Sequence, residues 1–327
     1  MHDFIAIGDI VTDAFIRLND SHISTAEVDG KQTLTLPFAE KIPYESVEEV
    51  VAVGNSANAA VSASRLGLNS ALVTNLGEDT QGDKCLARLS EEKVDTKFVR
   101  SHKGKNTNYH YVLWYQMDRT ILVKHEEYEY SLPEIEPAKW LYLSSLGDHT
   151  EKYHEEITQY LSAHPEVSLA FQPGTFQMKL GGDKLSRIYK RSKIFFCNVE
   201  EAERILGINT LGIQELLKRM KDLGPEMVVI TDGPKGAYAY DGTQMYFQPP
   251  YPDQAPAFER TGAGDAFAST CVASLALGHD LPVALKWGSI NSMSVVQQVG
   301  AQKGLLTREK LEEYLKSAPA EFETKLI

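Results

Sequence analysis

From Trp140 onward, short apolar runs alternate with amphipathic stretches, and this alternation limits the possible folds more than any other feature of the chain. Trp140–Leu143, Val167–Phe171, Lys193–Cys197 and Met227–Thr231 read as strands, while Thr150–Ser162 and Ile213–Asp222 between them carry apolar residues at helical spacing. Strands joined by helices pair in parallel, and a parallel sheet needs a helical layer on each face. The first part of the chain adds units of the same kind. Phe4–Ile10 is an apolar run closed by Gly8-Asp9, Asn55–Leu66 is helical and stopped by Gly67, Ser70–Leu76 is a strand and Thr80–Glu92 a helix. Later, Ala237–Tyr240 and Gln244–Gln248 flank Asp241-Gly242 as a hairpin, and two long helices follow at about Gly262–Leu277 and Leu281–Val299. The expected core is a mostly parallel sheet between two layers of helices.

Two segments break the pattern. Residues 14–52 carry short alternating stretches such as Thr33-Leu34-Thr35-Leu36, with Asp29-Gly30 as a turn signal. Residues 97–125 contain the aromatic and β-branched runs Tyr109–Tyr115 and Thr120–Val123, separated by a turn at Gln116–Arg119. Both read as pieces of an antiparallel β element. There is no internal repeat.

The balance of 33 Lys and Arg against 45 Asp and Glu, a net charge of −12, argues against a nucleic-acid partner, which calls for a basic stripe. Cys85, Cys197 and Cys271 are far apart and suit neither a zinc site nor a disulfide framework, so three reduced, buried thiols are expected. No basic region followed by a long apolar stretch opens the chain, and no run approaches 18 apolar residues. The expectation is a cytoplasmic protein without a membrane partner.

The sharpest local signal is Thr261-Gly262-Ala263-Gly264-Asp265, directly before an apolar helix. Amides at a helix N-terminus lack intrahelical partners, and glycine lets an anion approach them closely. A carboxylate in the same turn, Asp265, is suited to take a proton from a hydroxyl while the amides stabilise a transferring phosphoryl group. An ordinary helix start with an acidic first-turn residue has the same sequence. Gly54-Asn55-Ser56-Ala57-Asn58 enters another helix and offers polar side chains to a polyhydroxylated ligand, or else a simple cap. Asp13, read as following the turn after the first strand, is placed to bind a diol. Asn198 and Glu201 share a helical face and suit Mg²⁺ held through water, or else a cap with an acidic first turn. Thr231-Asp232-Gly233-Pro234-Lys235-Gly236 is a turn able to pass close to nucleotide phosphates.

Taken in order, these motifs resemble the ribokinase-like, or PfkB-type, carbohydrate kinases over nearly the whole chain. The resemblance implies a single three-layer α/β/α domain over 1–327, with a small β-sheet lid built from 14–52 and 97–125. It implies ATP and Mg²⁺, with Asp265 as base and Gly262, Ala263 and Gly264 as anion hole. Asp13, Gly54, Asn55 and Asn58 would bind the acceptor. Asn198, Thr231, Gly233, Gly236 and Asn291 would lie toward ATP, and Glu201 with Asn198 toward magnesium. It also implies a monovalent cation such as K⁺ near Glu259 and Thr261, and pairing of two chains through the lid. The acceptor is expected to be a small sugar or sugar-like molecule bearing a hydroxymethyl group.

The chain departs from that pattern at Val53, where the family has glycine, and at Glu259-Arg260, where it has Asp-Thr. The valine could narrow the acceptor entrance, and the second change puts the cation site in question. Arg260 could reach a phosphate or point to solvent. The alternatives are a nucleoside kinase, with Tyr109, Tyr111, Trp114 or Tyr115 stacking on a base, and a sugar-binding regulator without catalysis. For a phosphosugar acceptor, Lys105, Arg119 and Lys124 are the available lid cations. The first strand lacks the Gly-x-Gly-x-x-Gly turn of nicotinamide enzymes.

Overall fold

The computed structural model describes residues 1–327 apart from 20–22, 30, 117, 209, 210 and 256. Gly30 of the Asp29-Gly30 turn and Met117 of the Gln116–Arg119 turn therefore lie outside the described residues. Phe4–Ile7 (β1) is followed by Val11–Leu18 (β2), Ser24–Val28 (β3), Lys31–Thr35 (β4) and Tyr44–Val53 (β5). Next come Asn55–Arg65 (α1), Ser70–Gly77 (β6), Thr80–Glu91 (α2), Val99–His102 (β7), Tyr109–Tyr115 (β8) and Asp118–Leu122 (β9). The alternating part holds Trp140–Leu143 (β10), Glu151–Ala163 (α3), Ser168–Phe171 (β11), Thr175–Leu180 (α4), Ser186–Arg191 (α5) and Ser192–Asn198 (β12). It continues through Val199–Leu206 (α6), Ile213–Asp222 (α7) and Met227–Thr231 (β13). Ala237–Tyr240 (β14), Met245–Gln248 (β15), Ala263–Ala276 (α8), Leu281–Val295 (α9), Arg308–Lys316 (α10) and Lys325–Leu326 (β16) complete the chain.

The central sheet runs β16-β15-β14-β13-β12-β11-β10-β1-β6-β7, parallel from β13 to β7 and antiparallel beyond β13. Side chains alternate between its faces. Phe4, Ala6, Leu72 and Tyr142 join α1, α8 and α9 in one core, while Ile5, Ile7, Leu141 and Leu143 join α3, α5 and α7 in the other. Each of the larger side chains among them, such as Phe4, Ile5 or Leu141, fully withdrawn from water, contributes about 1.5–3 kcal/mol. Helices α8 and α9 are apolar on nearly every side because both are buried.

A second sheet, β5-β2-β8-β9, stands apart, with the hairpin β3-β4 beyond it. Two expectations are corrected. Within 97–125, β7 pairs in parallel with β6 and extends the central sheet, whose edge would otherwise leave backbone groups unpaired; only β8 and β9 enter the small sheet. The last long helix stops at Val295 rather than 299, because Val296 O accepts the amides of Phe258 (2.8 Å) and Glu259 (3.2 Å) instead of continuing the helical ladder. Asp13 follows the turn at Gly8–Ile10 and is the third residue of β2.

Candidate active site

Strand order reverses beside β1, which lies between β6 and β10. Crevices at such a switch point, outside the C-terminal strand ends, are where open α/β sheets hold ligands. The chain there is packed closely. Asp9 N donates to Ser145 O at 2.9 Å, and Gly54, at φ 107°, lies where a Cβ would come within 2.8 Å of Asp9 O. Val53 needs no such freedom: it pairs with Val11 in the small sheet and is buried.

Helix α8 opens at Gly262, whose φ of 81° is left-handed. A Cβ on Gly262 would come within 2.3 Å of Ala301 Cβ, whereas one on Gly264 would meet nothing, so Gly264 faces open space. Ala266 N donates to Gly262 O at 2.8 Å, and the amides before it lie in the turn that a helix leaves without intrahelical acceptors. Asp265, in this turn, is partly buried. Its Oδ1 accepts from Asn55 Nδ2 at 2.8 Å and Gln172 Nε2 at 3.2 Å, and its Oδ2 from Asn58 Nδ2 at 2.8 Å. Burial pushes its carboxyl above the usual carboxylate range, and the hydrogen bonds from Asn58, Gln172 and Asn55 and the charge of Arg119 oppose that shift. The two asparagines read as acceptor ligands are thus engaged in holding the carboxylate. Asn58 Oδ1 also accepts from Gln302 Nε2 at 3.1 Å, which ties three distant segments together.

On one side of this turn lies a cleft of about 730 Å³. Asn198, Thr231, Gly233, Gly236, Ala263 and Gly264 line it, and Arg260 does too, whereas Gly262 and Glu201 do not. Asn291 does not. It is fully buried, its Nδ2 donating to Thr270 Oγ1 at 2.7 Å and its Oδ1 accepting from Leu306 N at 2.9 Å, so the expected ATP contact is corrected to a structural tie. Ser289, Ser292 and Met293 of α9 line the cleft instead. Asn198 and Glu201 form a reciprocal cap: Glu201 N donates to Asn198 Oδ1 at 2.8 Å and Asn198 N to Glu201 Oε2 at 2.9 Å. Burial raises the Glu201 carboxyl, and the negative charge of Asp265 adds to that rise. Glu200 and Asp232 line the cleft beside Asn198, and a few carboxylates of this kind fit a Mg²⁺ ion carried mainly by nucleotide and water.

Glu259 and Thr261 fit a monovalent metal ion poorly. Glu259 is 1% exposed, and its Oε1 accepts from Thr261 N at 2.7 Å and from the Thr261 hydroxyl. Arg119 Nε, from β9, lies 3.6 Å from the same oxygen. The carboxylate already has a cation beside it.

Near the end of β1, together with the expected Asp13, are groups the sequence reading missed. Asp9 is buried at the end of β1 and accepts from Tyr130 OH at 2.9 and 3.0 Å and from Gly147 N at 2.7 Å; His125 Nδ1 is 3.4 Å away. Asp13, also buried, faces His110 Nδ1 at 3.4 Å, and the two histidine rings are 5.3 Å apart. Asp13 Oδ1 and His110 Nε2 are buried without a hydrogen-bond partner. Asp9 follows the first strand directly, which was a usable signal; nothing in the sequence marked the histidines. Among the described residues, no lysine or arginine lies within ion-pair distance of Asp9 or Asp13.

The stacking candidates separate by face. Tyr109 and Tyr111 pack together on the face opposite Asp13 and His110; Tyr111 is half-exposed and Tyr109 OH donates to Glu49. Trp114 is buried between Arg17 and Phe258. Cys85, Cys197 and Cys271 are free and buried. No helix among the described residues is long and apolar enough to cross a membrane.

The profile described as "pfkB family carbohydrate kinase" matches residues 24–308. An ATP-dependent 6-phosphofructokinase from Thermoanaerobacterium thermosaccharolyticum is 27% identical over 260 residues, covering 76% of this chain and 80% of that protein. Ribokinase of Bacillus subtilis is 25% identical over 276 residues, 82% of this chain and 88% of its own. The solved structure of Arabidopsis thaliana ribokinase, complexed with ribose and ATP, superposes with a TM-score of 0.78 at 18% identity, covering 96% of this chain and 99% of that one.

Proposed function

Because the chain belongs to the pfkB family of carbohydrate kinases, we propose that it transfers the γ-phosphoryl group of ATP to a hydroxymethyl group of a small sugar or sugar-like acceptor, with Asp265 as the base. The observation that carries this reading is the position of Asp265. It shares one helical turn with the open Gly264, which lines the 730 Å³ cleft, and its carboxylate is held by Asn55 at the start of α1. ATP lies in the cleft with its phosphates toward Gly233, Gly236, Ala263 and Gly264. The amides of the turn stabilise charge on the transferring group, and Asp265 takes the acceptor's proton. Asn198 and Glu201 would hold Mg²⁺, mainly through water, and the ion would supply positive charge to the phosphates. Asn55, Asn58 and Gln172 keep the carboxylate ionised and aimed.

Asp13 accepts hydrogen bonds from two acceptor hydroxyls, His110 completes that contact, and Gly54 and Asn55 bound the same space. An uncharged polyol is favoured over a phosphosugar, since Asp9 and Asp13 have histidines and no fixed cation beside them. A nucleoside is disfavoured because Tyr109 and Tyr111 face away. The apolar outer face of the small sheet, with Val47, Tyr111 and Leu122 about half exposed, is assigned to pairing with a second copy. The test is ADP release with ATP and Mg²⁺ across neutral pentoses and hexoses, their phosphates, and nucleosides. Turnover confined to nucleosides or sugar phosphates would refute the acceptor class, and no turnover at all would return the chain to a binding role.

A further inference from the structure

We propose that Arg119 is the built-in counter-ion of the turn that opens α8, doing there what a bound monovalent metal ion would otherwise do, so that catalysis by this chain is indifferent to potassium. The inference rests on the kinase reading above.

A carboxylate removed from water needs a compensating charge, or the fold bears a large desolvation cost. Glu259 is almost wholly buried, and its Oε2 has no hydrogen-bond partner. Among the described residues the cation within ion-pair distance of it is Arg119, 3.6 Å from Oε1. Arg119 Nε is itself buried without a hydrogen bond, so the two groups answer each other by charge.

Arg119 is delivered with its strand. It stands opposite Trp114 in the β8-β9 register, and Trp114 packs edge-on against Phe258, the residue before Glu259, at 5.3 Å between ring centroids. Arg17 covers Trp114 at 4.3 Å. Two neighbouring side chains of the small sheet therefore meet two consecutive residues of the loop leading to Gly262.

That loop shapes the phosphate site. Glu259 Oε1 accepts from both the amide and the hydroxyl of Thr261, which fixes the backbone just before the left-handed Gly262. Without Arg119, an uncompensated negative charge would sit beside the turn that must grip a phosphoryl group. A second cation added to the intact pair would meet the guanidinium already there. Arg119 is thus a positioning residue, acting through Glu259.

The experiment compares KCl with choline chloride at equal ionic strength, in wild type, Arg119→Ala and Arg119→Lys. Wild type is expected to turn over equally in both salts. Arg119→Ala should lose on the order of tenfold in choline chloride, within the usual range for coupled sites, and recover most of it in KCl. Arg119→Lys should keep more activity than Arg119→Ala in choline chloride. Melting temperature gives a second readout: KCl should raise that of Arg119→Ala more than that of wild type. Severalfold activation of wild type by potassium would overturn the proposal, as would an Arg119→Ala variant impaired equally in both salts. If Arg119→Ala fails to fold, the wild-type salt comparison and Arg119→Lys decide. If no acceptor is turned over, the kinase reading falls separately, and the melting comparison still decides the counter-ion.

Discussion

The two halves of the active site are built from different materials. Much of the proposed nucleotide side is backbone, the turn at Gly262–Asp265 and the turn at Gly233–Gly236, although Glu200, Asp232, Lys235, Asp253 and Arg260 also line the cleft. The proposed acceptor side is side chains: Asp9, Asp13, His110, His125 and Tyr130, brought from the turn after β1, from β2 and β8, and from the segment after β9. A phosphate chain is common to every substrate of such an enzyme and can be gripped by amides, which no substitution of side chain removes. The acceptor differs from one enzyme to the next and has to be read by groups that can be exchanged.

The largest expected effect lies where the halves meet. Asp265→Asn should lower kcat by about 10²–10⁴-fold while leaving the KM for ATP within about threefold; near-normal turnover would remove the base assignment. On the backbone side, Gly264→Val and Gly262→Ala should fail in different ways. At Gly264 there is room for a side chain, so the protein should stay folded but lose about 10²-fold in kcat/KM for ATP, because the new side chain would stand where phosphate approaches the amides. At Gly262 the new methyl meets Ala301 and the left-handed backbone penalises it, so stability should fall by about 1–3 kcal/mol, measured by urea unfolding. If both variants lose only stability, the amide pocket is not where phosphate binds.

On the side-chain side, His110→Gln should raise the acceptor KM about tenfold, the value of one good polar contact, with the KM for ATP unchanged. A change confined to ATP would put His110 on the wrong side of the comparison. The smallest effect concerns pH. Asp265 works as a base only when ionised, so activity falls as pH drops through its pKa, which burial has already raised. Asn55 donates to the carboxylate and stabilises the ionised form. Its replacement by Ala should move the acid limb of the kcat profile to higher pH. A shift to lower pH would show that Asn55 is not stabilising the ionised form in the working enzyme.

The same division explains what the sequence disclosed. Local chemistry was legible: strand and helix periodicity, the cap at Asn198, the helix opening at Gly262 and the turn at Gly233–Gly236 all depend on neighbours a few residues apart. Long-range assembly was not. Asn55 and Asn58 were visible as polar residues at a helix start, but that their amides would be spent on Asp265 depends on α1 meeting α8. His110 and His125 sit in unremarkable strand and loop sequence, and only the pairing of β2 with β8 sets His110 beside Asp13. Asn291 failed for the converse reason: its place on α9 was foreseen, but the helix turns it inward to Thr270 and Leu306.

The small sheet carries two of the five proposed acceptor-side groups, Asp13 and His110, and it joins the rest of the chain at four links: Gly8–Ile10, Gly54, and residues 103–108 and 123–139. A lineage could therefore rework what the enzyme feeds on by altering one detachable patch of strands, leaving the machinery that spends ATP as an inherited chassis. Arg119 is the exception. Any such remodelling must keep a positive charge facing Glu259, or find another source for it.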